Sequence, residues 1–128
     1  MQRLIAVNPA VIYSCKPEGE YPFTFISENI TSLLGYSPQD FTENQNFWTD
    51  HVHPDDRERV YAGLHRLLQQ GRFVQEYRFQ NKQGTYQWLH DEMNVIVDGH
   101  GNLLEIVGYW NDITDRRRAE LALRESLQ

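Results

Sequence analysis

Few residues in this chain have types and spacings suited to chemistry. The candidates are two acidic pairs, Asp55-Asp56 and Asp91-Glu92, three central histidines, His51, His53 and His65, and a lone Cys15. Acid–base catalysis by paired carboxylates needs one held protonated by burial and one left ionised. Asp55-Asp56 follows Pro54, where acids complement the positive end of a helix dipole. Asp91-Glu92 reads as strand surface. A catalytic reading would need a deep pocket around a buried acid, and Asp91 is the candidate for that role. His51 and His53 alternate and can offer two imidazoles, but His53 fits a helix start and no third ligand accompanies the pair, so no metal site is expected. A single cysteine excludes an intrachain disulfide and a four-thiolate centre, and fits a reducing, cytoplasmic setting. Nucleophile-elbow and phosphate-loop glycine patterns do not occur. Catalysis by this chain is not expected.

One stretch stands out for its organisation. In Gly108-Tyr109-Trp110-Asn111-Asp112-Ile113-Thr114-Asp115-Arg116-Arg117-Arg118 a strand pattern passes into a charged helix with no turn between them. Thr114 is suited to cap that helix by accepting a hydrogen bond from a first-turn amide. The surrounding 128 residues suit one domain, and 40% apolar with 12% aromatic residues supply a core. A net charge of −6 argues against a nucleic-acid partner. No apolar run suits a bilayer, and the start lacks the features of a signal peptide. The ending, inside a helical pattern, suggests a domain cut from a longer protein.

Residues 2–8 predict a short flanking helix stopped by Pro9. Val11 to Cys15 and Tyr21 to Ser27 read as a hairpin, with Phe23 and Phe25 on one face by alternation. Short helices follow at Ile30 to Leu34 and after Ser37-Pro38, where a capping serine precedes proline at the first helical position. Asn46 to Val52 is another single turn. Pro54 to Gln70 is the longest helix, with Val60, Leu64, Leu67 and Leu68 as its apolar stripe and Gly71 as its stop. Arg72 to Asn81, Tyr86 to Val97 and Leu103 to Ile113 are strands. Helices grouped between two antiparallel sets of strands predict an α+β domain over 11–114, flanked by 1–10 and by a helix over 115–128.

Phe25-Ile26-Ser27-Glu28-Asn29, Leu34-Gly35-Tyr36-Ser37, His53-Pro54-Asp55-Asp56-Arg57, Glu76-Tyr77-Arg78-Phe79, Trp88-Leu89 and Asp112-Ile113-Thr114 occur in one order. The ordered set resembles the PAS domain family, of the bacterial kind that precedes histidine kinases and cyclic-nucleotide enzymes. The resemblance implies a five-stranded antiparallel sheet in the order 2-1-5-4-3. It implies that Asp112, Ile113 and Thr114 join the last strand to a signalling helix and a C-terminal effector. Asp112 is expected to hold a cation from the neighbouring hairpin, Arg78 or Lys82.

Such domains hold haem, flavin, small metabolites or nothing. A flavin photocycle would need a helical cysteine, and Phe79, Leu89 and Trp110 stand where that subfamily carries polar contacts, so flavin is not expected. Haem would require His65 as axial ligand, but His65 lies about 100° from Leu64, at the edge of the apolar stripe, and no cofactor is expected. The inward set, which would line any pocket, is Phe25, Tyr77, Phe79, Leu89, Met93, Ile106 and Trp110, and a filled or nearly filled core is preferred. The alternative is a receptor in which occupancy by a small molecule or haem is the signal. Leu4, Ile5 and Val7, with Ala119, Ala122, Leu123 and Leu127, offer stripes for a homodimer.

Overall fold

A computed structural model describes residues 9–127. The helix expected over 2–8 lies outside them. The elements run β1 (Val11–Cys15), β2 (Phe23–Ile26), α1 (Ile30–Leu34), α2 (Pro38–Thr42), α3 (Phe47–His51), α4 (Pro54–Gln70), β3 (Arg72–Gln80), β4 (Tyr86–Val97), β5 (Leu103–Asp112) and α5 (Thr114–Ser126).

Local signals set many of these bounds. Ser37 accepts the Asp40 amide while the Asp40 carboxylate accepts the Ser37 amide, so α2 opens on a reciprocal cap. At α4, the His53 ring accepts the Asp55 amide, Pro54 occupies the first turn, and Gly71 ends the helix in the left-handed region at φ +83°. Val60, Leu64 and Leu67 are buried beneath the helix.

The strands form one sheet in the order β2-β1-β5-β4-β3, with every neighbouring pair antiparallel. Alternation places Gln75, Tyr77 and Phe79 of β3, Leu89, Asp91 and Met93 of β4, and Ile106, Gly108 and Trp110 of β5 on the buried face. Phe41 of α2, Trp48 of α3 and Val60, Leu64 and Leu67 of α4 complete the core. Phe23, Phe41, Phe79 and Trp110 touch in tilted and stacked pairs, with ring centroids 5.3–6.1 Å apart.

Phe25 does not share a face with Phe23. The register shifts between Ser14 and Cys15, which pair with Phe25 and Phe23, so Thr24 is an extra residue in β2. This bulge buries Phe23 and Ile26 and turns Phe25 outward, 52% exposed.

Candidate functional site

Two arrangements concentrate polar chemistry. The first lies in the core, around Asp91. This residue is 1% exposed. Its carboxylate accepts hydrogen bonds from Tyr13 Oη of β1 at 2.5 Å and Tyr77 Oη of β3 at 2.7 Å. Tyr77 Oη in turn accepts from Trp48 Nε1 of α3 at 3.1 Å. Tyr13 reaches across β5 because its register partner there is Gly108. A Cβ at Gly108 would stand 2.5 Å from Tyr13 Oη and 2.6 Å from the Glu92 carbonyl oxygen.

Burial pushes the Asp91 carboxyl up to about 6, against the two phenolic hydrogen bonds that favour its charged form. Burial also drives both tyrosines well above the ordinary phenol range, with the Asp91 charge adding to it. The phenols therefore remain donors, and the carboxyl is the titrating group of the cluster. Trp110 Nε1 is buried in the same core with no hydrogen-bond partner among the described residues. A cavity of ≈ 20 Å³ lies among Tyr13, Cys15, Trp48, Asp91, Met93 and Trp110. That is room for about one water molecule.

Asp91 thus corrects the strand-surface reading. Of the expected inward set, Tyr77, Phe79, Leu89, Met93, Ile106 and Trp110 are all buried, and Phe25 is outside. Met93, Ile106 and Trp110 line the cavity. His65 is exposed on α4. His51 stacks on Phe47 at 4.1 Å and bonds through Nδ1 to the Phe47 carbonyl. Among the described residues no group of three or more metal-ligating side chains comes together.

The second arrangement is the joint between β5 and α5. Ile113 N donates to Trp88 O at 2.9 Å, and Trp88 N donates to Thr114 Oγ1 at 2.9 Å. Asp112 Oδ1 accepts from the Thr114 amide at 2.9 Å and from its hydroxyl. Asp112 Oδ2 accepts from Gln87 Nε2 at 2.7 Å. The same amide nitrogen donates to Leu33 O of α1, and Gln87 Oε1 accepts from Asn81 Nδ2 in the β3–β4 hairpin. Gln87 therefore ties the joint to α1 and to the hairpin at once.

This geometry revises two expectations. Asp112 holds neither Arg78 nor Lys82. Arg78 is taken by Asp56 of α4, which accepts its backbone N, Nε and Nη2 at 2.9, 3.0 and 2.7 Å. Burial raises the Asp56 carboxyl, but the Arg78 hydrogen bonds outweigh it and leave the group below its ordinary value. Nor does the Thr114 hydroxyl cap the helix. Thr114 is the first helical residue, its hydroxyl faces Trp88, and the carboxylate of Asp112 accepts its amide instead.

A family model described as the PAS fold matches residues 23–110, more than half of the chain. The chain belongs to the PAS fold family. The two-component sensor PprA of Pseudomonas aeruginosa is 35% identical over 127 residues, covering 98% of this chain and 14% of that protein. A methyl sulfide methyltransferase-associated sensor of Methanosarcina acetivorans is 34% identical, covering 94% of this chain and 12% of its own length. This PAS domain therefore spans a small part of the curated relatives it matches. The fold is shared with the N-terminal domain of a diguanylate cyclase with PAS/PAC sensor from Marinobacter aquaeolei, at a TM-score of 0.76 and 24% identity, covering 85% of this chain and 99% of that one.

Proposed function

We propose that this PAS domain is a non-catalytic sensory module of a larger, cytoplasmic signalling protein. It biases α5 through Asp112, Ile113 and Thr114, and α5 carries the result to a C-terminal effector, a histidine kinase or a cyclic-nucleotide enzyme. The observation that carries this reading is the joint itself. β5 passes into α5 without a turn, and Gln87, Trp88, Asp112 and Thr114 fasten the junction by a closed set of hydrogen bonds. A small shift of β4 against β5 changes that set, which suits an element with two discrete arrangements. A homodimer related by a two-fold axis would align two exit helices in parallel.

A large cofactor has little support. The ≈ 20 Å³ cavity is far below the few hundred Å³ typical of ligand pockets. A receptor in which occupancy is the signal is accordingly the weaker alternative.

The test is helix phase. In a fusion through α5 to a histidine-kinase core, inserting one to seven residues after Ser126 is expected to make autophosphorylation rise and fall with a period near 3.6 residues. Output indifferent to insertion length would overturn the reading.

A further inference from the structure

His90 lies on the outer face of β4, between two carboxylates. Glu76, its direct partner on β3, sets Oε2 2.8 Å from Nδ1. Glu92, two residues along β4, sets Oε1 3.3 Å from Nε2. An ionised carboxylate only accepts hydrogen bonds, and a neutral imidazole carries one N–H. Both contacts are hydrogen bonds together only in the imidazolium form.

Glu76 has a second claimant. Arg116 of α5 donates through Nη2 to Oε1 at 3.1 Å and Oε2 at 3.0 Å, and Arg117 Nη1 stands 3.9 Å from Oε1. Arg117 also lies over the Trp88 ring, 3.8 Å from its centroid. On the other side, Glu92 meets Arg72 at 3.3 Å and Tyr109 of β5. Asp91, next along β4, faces the core and feels the charge of His90. One carboxylate is thus shared between a cation that titrates and two that do not, of which Arg116 is the nearer.

We propose that His90 is a proton-responsive regulator of the docking of α5. Two cations on one carboxylate compete, because each weakens the field the other feels. Protonation of His90 loosens Arg116 from Glu76, and docking of Arg116 lowers the proton affinity of His90. Linkage makes these one quantity seen from two sides. Burial lowers the His90 pKa, but the hydrogen bonds it donates to Glu76 and Glu92 outweigh that and hold it above the ordinary histidine value. The sheet contact is therefore complete at low pH and lost as pH rises through that raised value, while the helix contact strengthens over the same interval. The consequence for signalling rests on α5 being the output helix, whereas the coupling itself does not.

A cycle on the 128-residue chain tests it. The His90 ring is titrated by NMR in the wild type and in Arg116→Ala, Glu76→Gln and the double variant. The expected result is a higher His90 midpoint in Arg116→Ala than in the wild type, and no effect of Arg116→Ala once Glu76→Gln is present. On the helix side, protection of the Arg117 amide is expected to fall about twofold on going from pH 8 to pH 5.5, on the scale of an exposed ion pair. In His90→Gln that change is expected to vanish. An unchanged or lower His90 midpoint in Arg116→Ala would overturn the proposal and leave the insertion test untouched. Arg116 is half-exposed and its removal spares the core, so loss of fold does not confuse the outcome.

Discussion

At the scale of single residues, Asp91 makes the strongest physical statement. An isolated carboxylate in an apolar interior is too costly to keep, so such a group is neutral or hydrogen-bonded. Asp91 has two phenolic donors, yet burial still raises it to about 6. The folded state therefore holds a proton that the unfolded chain releases near pH 3.9. Stability from that proton is complete below the unfolded value and is lost as pH rises through about 6. In urea unfolding, the stability of wild type minus that of Asp91→Asn is expected to fall by on the order of 2–3 kcal/mol between pH 4 and pH 7. Asp56, lowered by Arg78, acts with the opposite sign, gaining stability with pH. It is common to both proteins and cancels. Parallel pH profiles would show that Asp91 stays charged throughout. The position of this acid was legible in the sequence. Leu89 and Met93 both read as inward, and strict alternation puts Asp91, midway between them, on the same face. Residue type argued for the surface, and type was the weaker guide because its partners Tyr13 and Tyr77 come from other strands, Tyr13 from the far end of the sequence.

At the scale of elements, the start of α2 could be placed from its capping serine and proline, and α4 bounded from proline and glycine alone. Those signals act within a few residues, so they survive without knowledge of the fold. What the sequence did not disclose was register. The bulge at Thr24 depends on how β2 meets β1, and it reverses Phe25. The partners of the joint depend on where β4 begins, and Gln87 carries no motif of its own, while Trp88 contributes through its backbone, which no motif displays. Because Trp88 offers both its amide and its carbonyl to the junction, the first turn of α5 is coupled to β4 as well as to its own strand. Thr114→Val keeps the shape and removes the hydroxyl between Trp88 N and Asp112. Loss of that bridge is expected to cost about 1–2 kcal/mol locally. The Ile113 and Arg117 amides should then exchange roughly 5- to 30-fold faster, by the same free-energy conversion, while amides in the middle of β3 change little. Uniform acceleration across the sheet would mean that the joint is an integral part of the global fold and has no separate equilibrium to bias.

For the whole molecule, the issue is what covers the outer face. Ile12 is 56% and Phe25 52% exposed there, and Tyr109 and Val107 continue the apolar strip across β5. Leu123 of α5 and Leu127, just past its end, are more exposed still. A helix of 13 residues with such a stripe is marginal in water unless something packs on it. A two-fold axis lets each surface be buried against its own copy. Sedimentation equilibrium of the 128-residue chain is therefore expected to show a dimer. Because a symmetric contact is struck twice by one substitution, Ile12→Asp or Leu123→Asp should weaken a dimer built on that surface by ~100-fold or more. The two variants separate the sheet from the helix as the seat of association. If only Leu123→Asp dissociates the dimer, the exit helices hold the two copies together. A wild-type chain that stays monomeric at tens of micromolar would remove the two-fold arrangement, and with it the parallel pair of output helices.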